Sequence, residues 1–439
     1  MKSIIISSNT SGGGKTTFTL GLMKALKKRG YKVQGYKVGP DYIDTAFHSS
    51  ITGVSSRNLD LYLMGEAGVK ASYSRGQGEY GVVEGVMGLY DGIGISSDYS
   101  TAHVSKVLNL PVVLVISPQA QCATLCAQIN GLINFDKVNI AGIVLNNISE
   151  SYYNLLKSAI EKHCRLRVFG YIPKEENLKL KSRHLGLIQS SELENLNEKI
   201  DLCSQLIEKY IDLNCLLDYF SESEIYLDNF HLKNKSVRAA VAKDKAFSFY
   251  YKENLELLEE IGEVVYFSPL KDKCLPENID FLYLGGGYPE VFAEELSMNK
   301  SMLKSINNAL NNGLRCFAEC GGLMYLTESI DNFDMVGLFN GKAFMTGKLQ
   351  NFGYAKLRVE KENNILPVGL SICIHEFHKS KVELEENELF SISKSVYDGT
   401  IKQWKCGYSK NATIATYAHL HFFSSMEMMK YITGYNMME

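Results

Sequence analysis

Apolar residues follow two rhythms along this chain. Compact runs such as Ile4–Ile6, Val82–Val83, residues 111–116 (PVVLVI) and residues 140–145 have the length and β-branched content of buried strands. Between them the spacing changes to that of a helix. Phe18, Leu22, Ala25 and Leu26 line one helical face, Lys27, Lys28 and Arg29 suit its last turn, and Gly30 is a natural stop. Residues 31–38 (YKVQGYKV) predict a second strand, residues 120–133 a further helix, and residues 170–173 the end of another strand. From Leu193 onward Leu196, Ile200, Cys203, Leu206, Ile207 and Tyr210 keep helical spacing, which predicts an amphipathic helix closing a first domain. This alternation predicts an α/β fold with a doubly wound, mostly parallel sheet.

Residues 221–236 are polar, charged and weakly periodic, as at a domain boundary. A second α/β pattern starts at residues 237–242. Strands are expected near 264–267, 281–284 and 314–318, with a helix near 302–310 that ends by Gly313. The expected organisation is a domain over 1–225, a linker over 226–236 and a second domain over 237–439.

Composition narrows the class. The chain has 439 residues, 45% hydrophobic and 22% charged, which is ample for two cores of a soluble globular protein. A net charge of −3 gives no support for nucleic-acid binding or a polybasic membrane contact. The N-terminus enters a strand directly, and no apolar run approaches the roughly 18 residues of a membrane span. Ten cysteines occur without a C-x-x-C pair, Cys122 and Cys126 lying four apart. Buried thiols in a reducing cytoplasm are the expectation.

The strand at residues 3–7 runs into NTSGGGKTT and then the first helix, the setting a phosphate-binding loop requires. Loop N–H groups around Gly12, Gly13 and Gly14 would face phosphates, Lys15 would reach the terminal ones, and Thr16 would offer its hydroxyl to Mg²⁺. Asn9 replaces the first glycine of the usual pattern. After the second strand comes GPDYID, which puts Asp41 and Asp44 on a loop at a strand's C-terminal edge, where open α/β sheets bind ligands; turn capping is the plainer use of an Asp there. Glu84 closes the Val82–Val83 strand where an acid would meet the Mg²⁺ of a bound nucleotide. Asp91 follows on a glycine-rich loop, and Asn146 and Asn147 fall at a strand end, where an amide could read an adenine edge or simply form a turn.

A second chemical centre lies at AECGGLMYL. Cys320 sits between an apolar strand and a segment that reads as a helix, with glycines that permit a sharp turn. The N–H of Gly321 can face an oxyanion, with a second donor from the backbone around Gly286 and Gly287. A thiol needs a base, and YAHLHF supplies His419 and His421 on an expected strand. His375-Glu376-Phe377-His378 is one residue short of H-E-x-x-H, so a zinc site is rejected in favour of a polar strand edge near the substrate.

With both centres placed, the chain resembles the cobyrinic acid a,c-diamide synthases over nearly its whole length. The motifs are NTSGGGKTT, YKVGPDYID, SRNLD, VVEGVMGLYDG, RHLGL, GGGYPE, AECGGLMYL, HEFHKS and YAHLHF, in that order. The resemblance implies an ATP-binding domain similar to dethiobiotin synthetase followed by a class I, triad-type glutamine amidotransferase domain. It assigns ATP to Gly12, Gly13, Gly14, Lys15, Thr16, Thr17 and Asn146, and Mg²⁺ to Thr16, Glu84 and Asp41. Asp41, Asp44 and Asp91 fall on the acceptor side, Cys320 is the glutaminase nucleophile and His419 its base. Cobyrinate, glutamine and ATP are the implied substrates, and a homodimer is compatible with the resemblance. Two departures stand out: His421 occupies the place of the acid in His-x-Glu, and Ile374 that of a glycine before HEFH. Other tetrapyrrole amidoligases, cobyric acid synthase and the nickel-sirohydrochlorin a,c-diamide synthases, share the architecture. A regulatory P-loop ATPase is the reading from another class.

Overall fold

The computed structural model describes residues 1–175, 178 and 190–437. RHLGL (183–187) and the side chains of Leu193 and Leu196 lie outside the described residues. The chain forms two compact units, Met1–Leu61 with Glu66–Asp228, and Tyr62–Gly65 with Asn229–Glu439.

The first unit is built on a sheet whose strands in chain order are β1 (Lys2–Ser7), β2 (Val33–Val38), β3 (Arg57–Leu59), β4 (Tyr80–Glu84), β5 (Val112–Ile116), β6 (Ile140–Ile148) and β7 (Arg167–Pro173). They lie side by side as β3-β2-β4-β1-β5-β6-β7, every neighbouring pair parallel. Ile4, Ile5 and Ile6 are fully buried, as a strand covered on both faces requires. The helix Lys15–Lys28 buries Phe18, Leu22, Ala25 and Leu26, the positions its spacing predicts. The closing helix spans Ser190–Tyr210 and buries Ile200, Cys203 and Ile207. The polar tract after it is not wholly irregular: Ser221–Glu222 adds an antiparallel pair to the start of β1.

In one place the expected loop is a helix. Asp41 is the N-cap of a helix over Tyr42–Thr52 and Asp44 lies in its first turn. The Gly39-Pro40 break ends β2, but Asp41 accepts hydrogen bonds from the N–H groups of Ile43 and Asp44 and so restarts regular structure at once.

The second unit contains β9 (Val237–Ala242), β10 (Gly262–Phe267), β11 (Phe281–Leu284), β12 (Arg315–Glu319), β13 (Tyr408–Lys410) and β14 (Thr413–Thr416), where β8 denotes Ser221–Glu222. The order is β10-β9-β11-β12-β14-β13, parallel except for the edge strand β13. A second, mostly antiparallel sheet is dominated by the long strands Gly341–Val359 and Ser371–Leu384. HEFH lies on the latter, where Ile374 and His375 pair with Leu420 and His419 on its other side, so His375 is inside the sheet and the short partner strand ends before Glu376. The strand expected around YAHLHF shortens to His419–Leu420, since His421 already caps a 3-10 turn over Phe422–Ser424.

Candidate active site

In the first unit the loop after β1 closes on Gly14, which caps the helix Lys15–Lys28 with φ 98°, a left-handed conformation open to glycine. A Cβ at Gly14 would also lie 2.1 Å from Nδ2 of Asn146. That amide donates to the carbonyl of Gly13 (3.3 Å) and to Oγ of Ser117 (3.0 Å). Asn146 therefore braces the loop, and its amide nitrogen is committed there and not to a base edge. Gly12, with φ 75°, has nothing within 4 Å of where a Cβ would stand. Thr17 follows half-buried in the helix's first turn.

The Lys15 ammonium donates to the carbonyls of Thr10 (3.1 Å) and Met87 (2.5 Å). Burial, with the nearby Lys37, pushes its pKa down to about 8 against the pull of Glu84, Asp91 and Asp44. Thr16 Oγ1 donates to Glu84 Oε1 at 2.5 Å. Glu84, fully buried at the end of β4, also accepts from Lys37 (3.0 Å) through Oε1, while Oε2 lies 2.8 Å from Nε2 of His48. Lys37 reaches Asp44 Oδ2 at 2.5 Å as well. One ammonium thus serves two carboxylates. Burial alone would raise the pKa of Glu84, but Lys37, His48 and Thr16 hold it well below the usual carboxylate range. Asp44 goes the other way, pushed up to about 8 by burial and by Glu84. Burial also opposes the charge on Lys37, and Glu84, Asp44 and Asp41 overcome it.

The fold therefore gathers Lys15, Thr16, Glu84 and Asp44 into one cluster and adds Lys37 and His48, which the sequence reading missed. His48 stands four residues after Asp44, a helical spacing that becomes visible once 42–52 is read as a helix. Asp41 spends Oδ1 on its cap, and Asp91, exposed, accepts from Gly88 N–H (2.8 Å), so each also does the turn work an Asp ordinarily does. Among the described residues no group of three or more His, Cys, Asp or Glu is placed to hold a metal ion. The Mg²⁺ of a nucleotide takes most of its ligands from phosphates and water, and one hydroxyl with one carboxylate, the Thr16–Glu84 pair, fits that demand.

In the second unit Cys320 follows β12 with φ 49° and ψ −97°, an unusual conformation for a residue with a Cβ. Its N–H donates to the Thr416 carbonyl at 2.7 Å. Burial, with Glu290 and Glu376 nearby, pushes the thiol pKa up. Gly286–Gly287 pairs antiparallel with Phe247–Phe249. A Cβ at Gly321 would lie 3.2 Å from the Gly287 nitrogen, and one at Gly286 would lie 2.5 Å from Cε1 of His419. The two glycines, Gly321 and the His419 ring thus meet, with Cys320 adjoining. Burial, then His375 and His378, pushes His419 down to about 3.

His421 is differently committed. The Phe423 N–H donates to its Nδ1 (3.2 Å), and its Nε2 lies 3.5 Å from the buried Glu253. Glu319 Oε1 accepts from the Leu420 N–H (2.8 Å) and Oε2 from the Tyr283 hydroxyl (2.7 Å), and burial pushes this carboxyl up to about 8. On the HEFH strand Glu376 is fully buried, 3.4 Å from Nε2 of His378, and accepts from Trp404 Nε1 (3.3 Å).

A P-loop sheet and a glutaminase-type sheet in one chain define a glutamine-dependent amidotransferase ligase with its own nucleotide-binding domain. Residues 4–188 match the family described as CobQ/CobB/MinD/ParA nucleotide binding domain, and residues 238–427 the CobB/CobQ-like glutamine amidotransferase domain. The chain is 68% identical to the cobyrinate a,c-diamide synthase of Clostridium tetani over 98% of this chain and 99% of the relative. It is 62% identical to that of Clostridium acetobutylicum over 98% and 100%, and 42% identical to that of Listeria innocua over 99% of each. The chain belongs to the cobyrinate a,c-diamide synthase family. Among the described residues no helix is long and apolar enough to cross a membrane.

Proposed function

We propose that this enzyme uses ATP and glutamine to amidate the a and c carboxylates of cobyrinate in cobalamin biosynthesis. A carboxylate is a poor acyl donor at neutral pH, so the first unit would transfer the γ-phosphoryl group of ATP to it, and ammonia would then displace phosphate. The N–H groups around Gly12–Gly14 and the Lys15 ammonium would hold the nucleotide phosphates, with Thr17 and Asn146 supporting the loop. Thr16 and Glu84 would hold Mg²⁺, which when bound neutralises charge on the phosphates. Asp44, Asp41 and Asp91 surround the same cluster and would face the acceptor.

Ammonia would come from glutamine. Cys320 would attack the carboxamide to form a thioester, with the Gly321 and Gly287 N–H groups facing the oxyanion. His419, neutral and packed on Gly286, would take the thiol proton. His421 is a weaker candidate for that base because its Nδ1 is occupied by a backbone N–H.

The observation that carries the reading is the Lys15–Thr16–Glu84 cluster in a chain that also packs Gly321, the residue after Cys320, on Gly287 and the His419 ring on Gly286. The test is mass spectrometry of cobyrinate incubated with MgATP and glutamine. Two successive amidations are expected; an unchanged corrinoid mass, or reaction only with another tetrapyrrole, would overturn the substrate assignment.

A further inference from the structure

His48 is wholly buried, and both its ring nitrogens are engaged. Nδ1 lies 3.2 Å from Ser56 Oγ, which is itself 2.9 Å from the Gly35 carbonyl, and Nε2 lies 2.8 Å from Glu84 Oε2. The β2 backbone packs against the ring: a Cβ at Gly35 would stand 2.7 Å from that of His48. The imidazole is therefore fixed in translation and in plane. The terminal torsion of a glutamate is broad and costs little to rotate. With Oε2 held on His48, the carboxyl group has one orientation left, the one that turns Oε1 toward Thr16 (2.5 Å) and Lys37 (3.0 Å).

We propose that His48 is a positioning residue that locks Glu84 so that Oε1 faces the Thr16 hydroxyl and, through that pair, the divalent cation of the bound nucleotide. The inference rests on the reading of Lys15, Thr16 and Glu84 as a nucleotide centre. A histidine that merely fills space under the helix Tyr42–Thr52 would not care which of its nitrogens is replaced. A positioning histidine would.

Two amide variants separate these roles. The side-chain nitrogen of His48→Gln can reach the place of Nε2 and hold Glu84, whereas that of His48→Asn stops near Nδ1 and reaches only Ser56. The readout is Mn²⁺ affinity in the presence of a non-hydrolysable ATP analogue, taken from the electron paramagnetic resonance of free Mn²⁺, with Glu84→Gln as reference and an unfolding profile for each variant. His48→Asn should weaken Mn²⁺ binding about tenfold or more, the usual scale for loss of a group that orients a metal ligand. His48→Gln should stay within about threefold of wild type by the same scale. Equal affinities for the Asn and Gln variants would overturn the positioning role. If Glu84→Gln weakens binding but His48→Asn does not, only that role falls. If Glu84→Gln has no effect either, the metal reading of the centre falls with it.

Discussion

Replacing Cys320 by glycine should give a more stable protein than replacing it by alanine, the reverse of the ordinary order. Cys320 holds φ 49° and ψ −97°, outside both the extended and the right-handed regions. A residue with a Cβ in such a conformation carries about 1–3 kcal/mol of strain. Alanine keeps the Cβ and so keeps the strain. Glycine loses it, at a cost of about 0.5–1 kcal/mol for the extra freedom of its unfolded chain. The difference favours glycine by about 1 kcal/mol. For a unit of this size that is a rise of about 2–4 °C in the midpoint. Both variants lack sulfur, so the comparison cancels the loss of the thiol's buried contacts. Differential scanning calorimetry of the two full-length variants measures it, and neither should release glutamate from glutamine. An alanine variant as stable as the glycine one, or more so, would show that any strain at Cys320 does not exceed glycine's cost of about 0.5–1 kcal/mol, and would refute the reasoning.

Glu84→Gln should fold, because Lys37 keeps Asp44 as a partner, but lose about 1–3 kcal/mol in denaturant unfolding and most Mg²⁺-dependent turnover. Unchanged turnover across a Mg²⁺ titration would refute the metal role. Lys15→Ala should abolish amidation with either glutamine or ammonium, whereas Cys320→Ser should abolish only the glutamine reaction; loss of both in a folded Cys320→Ser would refute the division of labour. Burial takes His419 from its ordinary 6.5 down to about 3, so the native state excludes a proton that the unfolded chain binds. The stability this group contributes is present above pH 6.5 and lost below it: wild type should lose about 1.4 kcal/mol per pH unit relative to His419→Gln between about pH 6 and 4, read from paired denaturant titrations.

The strand-loop-helix opening and the Val82–Val83 strand ending in Glu84 were legible because a buried parallel strand must be a compact apolar run and a phosphate loop must be glycine. The GPDYID segment was not, because Asp serves both turns and helix caps. Reading a loop there hid the helical spacing of Asp44 and His48, and with it half of the cluster around Glu84. Lys37 escaped for another reason: a lysine inside a strand pattern reads as an outward-facing charge, and the two carboxylates that neutralise it come from residues 7 and 47 positions away. The antiparallel sheet of the second unit was invisible as architecture. Along Gly341–Val359 buried and exposed positions alternate only in its last few residues, so most of the strand lacks the period-two signal.

The two centres treat buried ionisable groups in opposite ways, and each way suits its proposed chemistry. Around Glu84 the central carboxylate keeps its charge because Lys37 pairs with it, while Asp44, which shares that ammonium, is pushed up to about 8. Phosphoryl transfer needs fixed charge, since its work is to hold and neutralise phosphate oxygens. Around Cys320 two buried acids, Glu290 and Glu319, have no lysine or arginine as ion-pair partner among the described residues. Glu290 is pushed up to about 7 and Glu319 to about 8, each by burial first. Burial pushes the thiol up and His419 down, which favours an uncharged thiol and an uncharged imidazole over thiolate and imidazolium. On the proposed mechanism the proton would move as the carboxamide is attacked, with His419 as general base and the Gly321 and Gly287 N–H groups as the stabilisers of the charge that appears. A nucleophile that is uncharged at rest reacts slowly with alkylating agents, so on the proposed mechanism Cys320 should resist iodoacetamide in the absence of glutamine.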